Sequence, residues 1–202
     1  MEGSAPAFGL VPLQTGARLW SRFFTVSPLV LVATKEGQGF DIAPKHMAMP
    51  LGWENYYCFV CSAHHATFRN VLEHRAFTVS FPDERLLLQT ALAASPRAAD
   101  ASKPALAALA TFPARAVEGV LVEGCRLYLE CELERVVDGF GRASLVVGRV
   151  VAAAAREDTL RDGEIDDADL ISRSGIPAYL YPGRFATVRE SVAFPFPADF
   201  SL

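Results

Sequence analysis

The chain has 202 residues, of which 51% are hydrophobic and 21% are charged, and its formal net charge is −4. This composition supplies enough apolar surface for a packed core and excludes an intrinsically disordered chain. The acidic balance argues against nucleic-acid binding, which requires a basic surface. The mean hydropathy is positive, at +0.21, and indicates that part of the apolar surface is buried against a partner or a ligand.

The sequence shows neither a membrane span nor a secretion signal. No window approaches the roughly 20 apolar residues that a membrane helix needs, and the most apolar stretch, residues 144–155, contains Arg149. The first residues do not combine a basic region with an apolar core. Four cysteines are too few for a disulfide framework. We therefore expect a cytoplasmic protein with reduced thiols.

The length predicts a single domain over residues 1–202. Residues 1–15 are rich in glycine and proline and form a predicted N-terminal arm, and residues 189–202 form a predicted C-terminal tail. Residues 83–113, here called the insertion, shift to alanine and leucine between predicted strands.

The first half of the chain predicts strands with one short helix. β-Rich runs at residues 29–34 and 40–44 flank a Gly-Gln-Gly turn and predict a hairpin. Further strands are predicted at residues 56–62 and 77–81. Between them, apolar side chains at helical spacing predict a helix over residues 66–74.

The strand at residues 56–62 contains a C-x-x-C pair, Cys58 and Cys61. Residues three apart on a strand point to opposite faces, which disfavours a shared metal or a redox disulfide. Buried core cysteines are the favoured interpretation, and a metal or redox role is the minor alternative.

The second half begins with the insertion, whose composition predicts two short helices, at residues 84–94 and 103–111. Residues 127–134 then alternate apolar and polar side chains with a period of two. This alternation predicts a strand with one buried and one solvated face, with Glu130 on the solvated face.

Residues 138–141 predict a hairpin turn, and residues 143–153 predict the returning strand. Short strands joined by hairpin turns, with helices confined to the connections, are typical of a mainly β fold. We predict an antiparallel β-barrel with short connecting helices. A doubly wound parallel sheet would need a helix after most strands, and the sequence does not supply them.

Polar side chains gather where the predicted strand gives way to the predicted helix. Exposed N–H groups at a helix start attract an anion, and hydroxyls and cations at the same place suit a phosphate. The alternative is that Ser62 or Thr67 is an ordinary helix cap and that Arg69 faces solvent. The side chains concerned are Ser62, His64, His65, Thr67 and Arg69.

A second cationic pair, Lys45 and His46, follows Pro44 among methionines and small residues. A cationic pair near an apolar rim suits an aromatic ligand that carries a phosphate; the alternative is a surface loop. His64 and His65 have no acidic or cysteine partner nearby at metal-ligand spacing, so no metal site is predicted. Nucleotide-binding glycine motifs and a nucleophile elbow are absent from the sequence.

Taken together, these segments resemble the flavin reductase-like FMN-binding split-barrel family over residues 27–187. Ala-Pro at residues 43–44 resembles the family's N-x-A-P-x-S segment, and A-T-F-R-N at residues 66–70 resembles its K-D-T-x-x-N helix start. The L-E-C run at residues 129–131 and the G-R-V-V run at residues 148–151 resemble its paired strands. The chain departs from the family pattern at Asp41, at Lys45-His46 and at His65-Ala66.

The resemblance implies a homodimer of split barrels with FMN at the interface, FAD being the alternative flavin. It implies a phosphate site formed by Ser62, His64, His65 and Thr67 with Lys45 and Arg69 as cations. It also places Ala43, Pro44, Lys45, His46 and Met47 along the flavin and its ribityl chain.

The activity implied is transfer of hydride from NAD(P)H to the flavin, with no catalytic side chain and no metal. The protein would then be a flavin reductase, with the reductase component of a two-component monooxygenase as one option. Tyr179, Tyr181 and Arg184 are candidates for contact with the ring or the pyridine nucleotide, with core packing as the alternative for the tyrosines. Two other functions stay open: a flavoredoxin-like electron carrier, and a non-redox split barrel for a ligand such as haem, with His46 or His74 as axial ligand.

Overall fold

The computed structural model describes residues 9–161 and 163–194 of the chain. Residues 1–8 of the predicted arm and residues 195–202 of the predicted tail lie outside the described residues.

The described chain is built mainly from antiparallel strands. The strands are β1 (Thr25–Pro28), β2 (Val30–Glu36), β3 (Gly39–Lys45), β4 (Ala48–Pro50), β5 (Tyr56–Ser62), β6 (Ala76–Phe81), β7 (Thr111–Pro113), β8 (Val120–Val122), β9 (Leu127–Phe140), β10 (Ala143–Ala155), β11 (Ile176–Tyr181) and β12 (Arg184–Val188). The helices are α1 (Ala66–His74), α2 (Leu87–Leu92) and α3 (Asp167–Ser174), with short 3₁₀ helices at Leu19–Ser21, Glu84–Leu86, Pro104–Ala108 and Glu157–Thr159.

One curled antiparallel sheet organises these elements. Its strand order is β3-β2-β6-β9-β10-β5-β4, and smaller sheets are formed by β1-β11-β12 and by β7-β8. This arrangement confirms the predicted fold class, a mainly β antiparallel split barrel with short connecting helices.

Strand β2 is buried on both faces because its alternate residues enter two different cores. Val30 and Val32 pack inside the barrel with Phe59 and Phe77, whose rings meet edge to face at 5.1 Å. On the opposite face of β2, Leu31 joins a second cluster that includes side chains of the insertion. A strand covered on both sides reads as a continuous apolar run, as it does here.

Several predicted elements are confirmed by the structure. The hairpin of β2 and β3, strand β5 and helix α1 occupy the predicted positions, and β6 and β10 match within a few residues. The interpretation of Cys58 and Cys61 as buried core residues is also confirmed, since both are free thiols with 1% and 2% of their surface exposed.

The second predicted helix of the insertion, at residues 103–111, is wrong. Only a 3₁₀ helix forms, at Pro104–Ala108, and β7 then pairs with β8. The first predicted helix is split into a 3₁₀ helix and the short α2. Alanine and leucine favour helix, but the prolines leave too few residues between them to offset the cost of helix nucleation.

The hairpin turn between β9 and β10 is formed by residues 141–142, later than the centre of the predicted range 138–141. The strand continues through Phe140, and the pairing shifts register between Ala143 and Leu145. Gly139 therefore marks an irregularity within the strand pair, where its φ of +105° suits a glycine.

Glu130 was expected on the solvated face of its strand, and this prediction is wrong. The residue is 5% exposed, and its carboxylate accepts hydrogen bonds from the backbone N–H groups of Arg115, Ala116 and Val117. Three backbone donors can hold a buried carboxylate that has no cationic partner.

Candidate functional site

A cleft of about 500 Å³ opens where β3, the start of α1 and the insertion meet. Its charged lining contains four cations and one carboxylate, so the acidic chain carries a locally positive concavity. The polar side chains of the lining are Asp41, Lys45, His64, His65, Thr67, Arg69, Ser95, Arg97 and Lys103. Ala43, Pro44 and Ala66 complete the same wall.

At the start of α1, the first-turn N–H groups have no capping side chain among the described residues. His65 is the N-cap residue, and its side chain makes no hydrogen bond to the first turn. The alternative in which Ser62 or Thr67 caps the helix is therefore wrong: Thr67 lies inside the helix and its hydroxyl donates to Asp41 at 3.5 Å. Uncapped N–H groups and the positive end of the helix dipole together favour an anion.

Lys45 reaches the cleft from the end of β3 and is 9% exposed. Its Nζ atom donates to the sulfur of Cys61 at 3.6 Å and lies 5.9 Å from the centre of the Phe59 ring. Among the ion pairs of the described residues, none joins Lys45 to a carboxylate. The surface-loop alternative is thus wrong for Lys45, which is a buried ammonium at the cleft wall.

Asp41 lies at the base of the cleft and is paired with two cations of the insertion. Its Oδ1 atom is 3.1 Å from Nη2 of Arg97 and 3.3 Å from Nζ of Lys103. Arg97 also pairs with Glu36 at 2.9 Å. These contacts tie the insertion to the β2–β3 hairpin and place it over the cleft.

Sequence reasoning missed both Arg97 and Lys103. The signal available was an arginine and a lysine beside prolines in a stretch otherwise rich in alanine and leucine. Their positions depend on contacts with Glu36 and Asp41, some sixty residues earlier in the chain.

Burial and neighbouring cations disfavour further protonation in the cleft. The pKa of His65 is lowered by burial, with Lys45, His64 and Arg69 adding to the effect. Burial also lowers the pKa of Lys103, although Asp41 opposes this shift. The cleft thus favours neutral imidazole at His65.

His46 turns away from the cleft lining and joins an aromatic cluster. Its ring lies 4.5 Å from that of Tyr179 and 5.9 Å from that of Tyr181. Its Nε2 atom is buried without a hydrogen-bond partner in the described part of the chain, and its pKa is lowered by burial and by Lys45. The structure therefore joins His46 to two of the three residues predicted to meet the substrate.

The remaining predicted residues do not line the cleft. Ser62 lies at the end of β5, where its hydroxyl accepts from the N–H of His64 at 3.4 Å. Met47 is 49% exposed after β3, and Arg184 is exposed at the start of β12.

A second concavity, of about 440 Å³, lies at the far end of the β9–β10 pair. The rings of Phe112 and Tyr128 meet edge to face within its wall, at 5.4 Å. Alanines 152–155 form another side, and Arg115 and Arg156 lie at its margin. This pocket contains none of the predicted site residues.

Within residues 9–161 and 163–194, no group of three or more His, Cys, Asp or Glu side chains is placed to hold a metal ion. In the same residues, no helix has the length and hydrophobicity needed to cross a membrane.

The sequence matches the flavin reductase like domain family over residues 21–189. The chain belongs to this family. No curated protein sequence matches it significantly.

Solved structures share the flavin reductase-like fold at low sequence identity. Nitrilotriacetate monooxygenase component B from Bacillus cereus has 18% identity and a TM-score of 0.79, over 92% of this chain and 98% of that one. Flavoredoxin of Desulfovibrio vulgaris (Miyazaki F) has 21% identity and a TM-score of 0.75, over 93% and 99%. An FMN-binding protein from Thermus thermophilus, with bound 1-cyclohex-2-enone, has 19% identity and a TM-score of 0.74, over 91% and 98%.

Proposed function

We propose that this protein is an FMN-binding oxidoreductase that transfers hydride from NADH or NADPH to flavin. The observation that carries the proposal is the positive cleft at the start of α1, in a chain of the flavin reductase like domain family. A flavin mononucleotide needs a site for a phosphate dianion beside a surface for a flat ring. The cleft and the neighbouring aromatic cluster fit both needs.

The phosphate end fits the residues at the start of α1. The first-turn N–H groups supply neutral donors, and Lys45 and Arg69 supply charge. The Thr67 hydroxyl, which donates to Asp41 in the described chain, would turn to the phosphate when the ligand binds. Lys45 is the strongest candidate because its buried ammonium has only a sulfur acceptor among the described residues. Charged donors to a phosphate form the stronger class of hydrogen bond.

The predicted flavin and ribityl contacts follow from the same wall. Ala43 and Pro44 line the cleft beside Lys45, and His46 and Met47 continue the chain out of it. FAD, the alternative flavin, would share the phosphate site next to the ribityl chain.

A bound flavin supplies the hydride-accepting ring. The chain's part is to bind and orient two flat rings and to exclude water from between them. His46, Tyr179 and Tyr181 form an aromatic wall suited to pack against a ring. This task needs no nucleophile or general base, so the proposal assigns no catalytic side chain.

We further propose that the protein is a homodimer with the flavin at the interface. Large apolar side chains near the cleft strand are exposed in the single chain: Met47 is 49%, Met49 54% and Trp53 85% exposed. Exposed apolar surface of this kind marks interaction sites. Light scattering coupled to gel filtration should give about twice the mass of the 21.9 kDa chain, and a monomer would contradict this.

An oxygenase is the proposed acceptor of reduced flavin, by analogy with monooxygenase component B, whose fold the chain shares. The electron-carrier alternative is represented by flavoredoxin, which also shares the fold. Activity with the nicotinamides separates the two.

The deciding experiment is titration of the flavin-free protein with FMN, followed by addition of NADH or NADPH under anaerobic conditions. We expect a saturable change in flavin absorbance and then bleaching of the flavin band with loss of the nicotinamide band. Binding of FMN without oxidation of either nicotinamide contradicts the reductase. Reduction only by a redox protein would establish the carrier, and no flavin binding would overturn both.

A further inference from the structure

Cys61, at the end of β5, lies among basic side chains directly behind the cleft wall. Its sulfur accepts from Nζ of Lys45 at 3.6 Å and lies 3.9 Å from Nδ1 of His65, within hydrogen-bonding distance for sulfur. Lys45 and His65 line the cleft in front of it. A thiol, an ammonium and an imidazole therefore meet at the boundary between core and cleft.

The buried ammonium of Lys45 has the sulfur of Cys61 as its hydrogen-bond acceptor. Buried charges are normally paired, yet the ion pairs of the described residues leave Lys45 without a carboxylate. The ammonium is therefore placed to stabilise negative charge that develops on the sulfur when it attacks an electrophile.

We propose that Cys61 is a peroxide-sensitive modification site of the cleft. The sulfur of Cys61 attacks one oxygen of hydrogen peroxide, and Lys45 stabilises the charge that develops on the sulfur. The O–O bond breaks, an S–O bond forms, and the thiol proton passes to the departing oxygen, which leaves as water. The sulfur loses two electrons to the peroxide and becomes a sulfenic acid, the first and reversible step of cysteine oxidation.

The other three cysteines of the chain serve as internal controls for the reactivity of Cys61. Cys58 lies on the same strand and is equally buried, and burial raises its pKa. Burial raises the pKa of Cys125 and of Cys131 to about 12. Among the described residues, an ammonium is hydrogen-bonded to the sulfur of Cys61 and to none of these three, so they should react more slowly with peroxide.

Oxidation of Cys61 would change the cleft that it supports. A sulfenate oxygen next to Lys45 draws the ammonium toward the core and adds bulk behind His65. We expect weaker binding of a phosphate-bearing ligand as a result; this consequence, unlike the reactivity of Cys61, rests on the proposed function.

The test exposes the flavin-free protein to hydrogen peroxide with dimedone, which traps sulfenic acids, and locates the adduct by peptide mass spectrometry. We expect Cys61 to be labelled at least tenfold faster than Cys58. Replacement of Lys45 by methionine, which keeps the length of the side chain and removes its charge, should slow labelling about tenfold. Equal labelling of Cys61 and Cys58 in the wild-type protein overturns the proposal, whether or not the variant folds.

A second measurement separates the reactivity from its consequence. FMN titration of wild-type and Cys61→Ser protein, before and after peroxide, should show a several-fold loss of affinity only in the wild type. Trapping at Cys61 with unchanged FMN affinity would contradict the regulatory consequence alone. Failure of FMN to bind the untreated protein would contradict the proposed function and leave the trapping result standing.

Discussion

Two concavities of the described chain have similar volumes and opposite chemistry. The cleft at the start of α1 measures about 500 Å³ and is lined by four cations, whereas the pocket beside Phe112 measures about 440 Å³ and is mainly apolar. In the cleft, helix N–H groups and Lys45 have few acceptors within the chain. In the pocket, the buried carboxylate of Glu130 is already satisfied by backbone donors. Unsatisfied donors, rather than volume, distinguish the candidate site.

The largest effect expected is on flavin binding when donors of the cleft are removed. Lys45→Ala combined with Thr67→Val removes the charged hydrogen bond proposed at Lys45 and the hydroxyl proposed to turn from Asp41 to the phosphate, together worth about 3 kcal/mol. The Kd for FMN, measured by fluorescence quenching, should rise about a hundredfold.

Arg115→Ala is the matched control, because it removes one cation from the margin of the apolar pocket. This variant should bind FMN like the wild type. If Arg115→Ala weakens binding as much as the double variant does, the phosphate site has been assigned to the wrong concavity.

Asp41→Asn should separate folding from binding within the cleft. The substitution leaves Lys103 buried and without its carboxylate, while Arg97 keeps Glu36. Removal of one partner from a buried ion pair is strongly destabilising, and we expect a loss of about 2 kcal/mol in the free energy of unfolding by urea.

FMN affinity should change in the opposite direction in the same variant. Loss of the negative charge from the base of the cleft should tighten binding by about threefold, through weaker repulsion of the phosphate. A variant that is less stable and also binds FMN more weakly would show that Asp41 supports the site rather than opposing the anion.

The smallest expected effect is the change of stability with pH, which should come from two histidines in and beside the cleft. The folded-state pKa values of His46 and His65 are lowered by burial from the unfolded value of 6.5. Below pH 6.5 the unfolded chain therefore binds more protons than the folded chain, so stability is present above this pH and falls below it.

The melting temperature should accordingly decrease by about 2 °C between pH 7.5 and pH 6. His46→Phe keeps a ring against Tyr179 and removes the titrating nitrogen. The melting temperature of this variant should therefore fall less than that of the wild type over the same pH range. A decrease of the same size in the variant would assign the pH dependence to other groups.

One wall of the cleft is formed by residues that are close together in the sequence, and this wall was predicted. The turn between β5 and α1 brings His64, His65 and Thr67 together within four residues, so periodicity and helix-start chemistry were sufficient. The opposite wall depends on pairing of Arg97 and Lys103 with Asp41, which no local pattern encodes.

Long-range pairing also explains the missed strands. β1, β11 and β12 are short and lie far apart in the sequence, and β1 pairs with β11 across some 150 residues. The contact between the rings of Tyr179 and His46 is a consequence of that pairing. The alternation in β9 correctly predicted a strand, but it assigned Glu130 to solvent because backbone donors from residues 115–117 were not visible in it.

The double burial of β2 has a consequence for residues 83–113, which the sequence presents as an addition between strands. Leu31 and Ile42 form a cluster with Leu109 and Val122, on the opposite face of β2 from the barrel core. Truncation of this segment would expose a central strand to water and leave Asp41 without its cations. We therefore expect the segment to unfold together with the barrel as one cooperative unit. A condition that changes the rate of amide exchange in β2 should change it in α2 in the same direction.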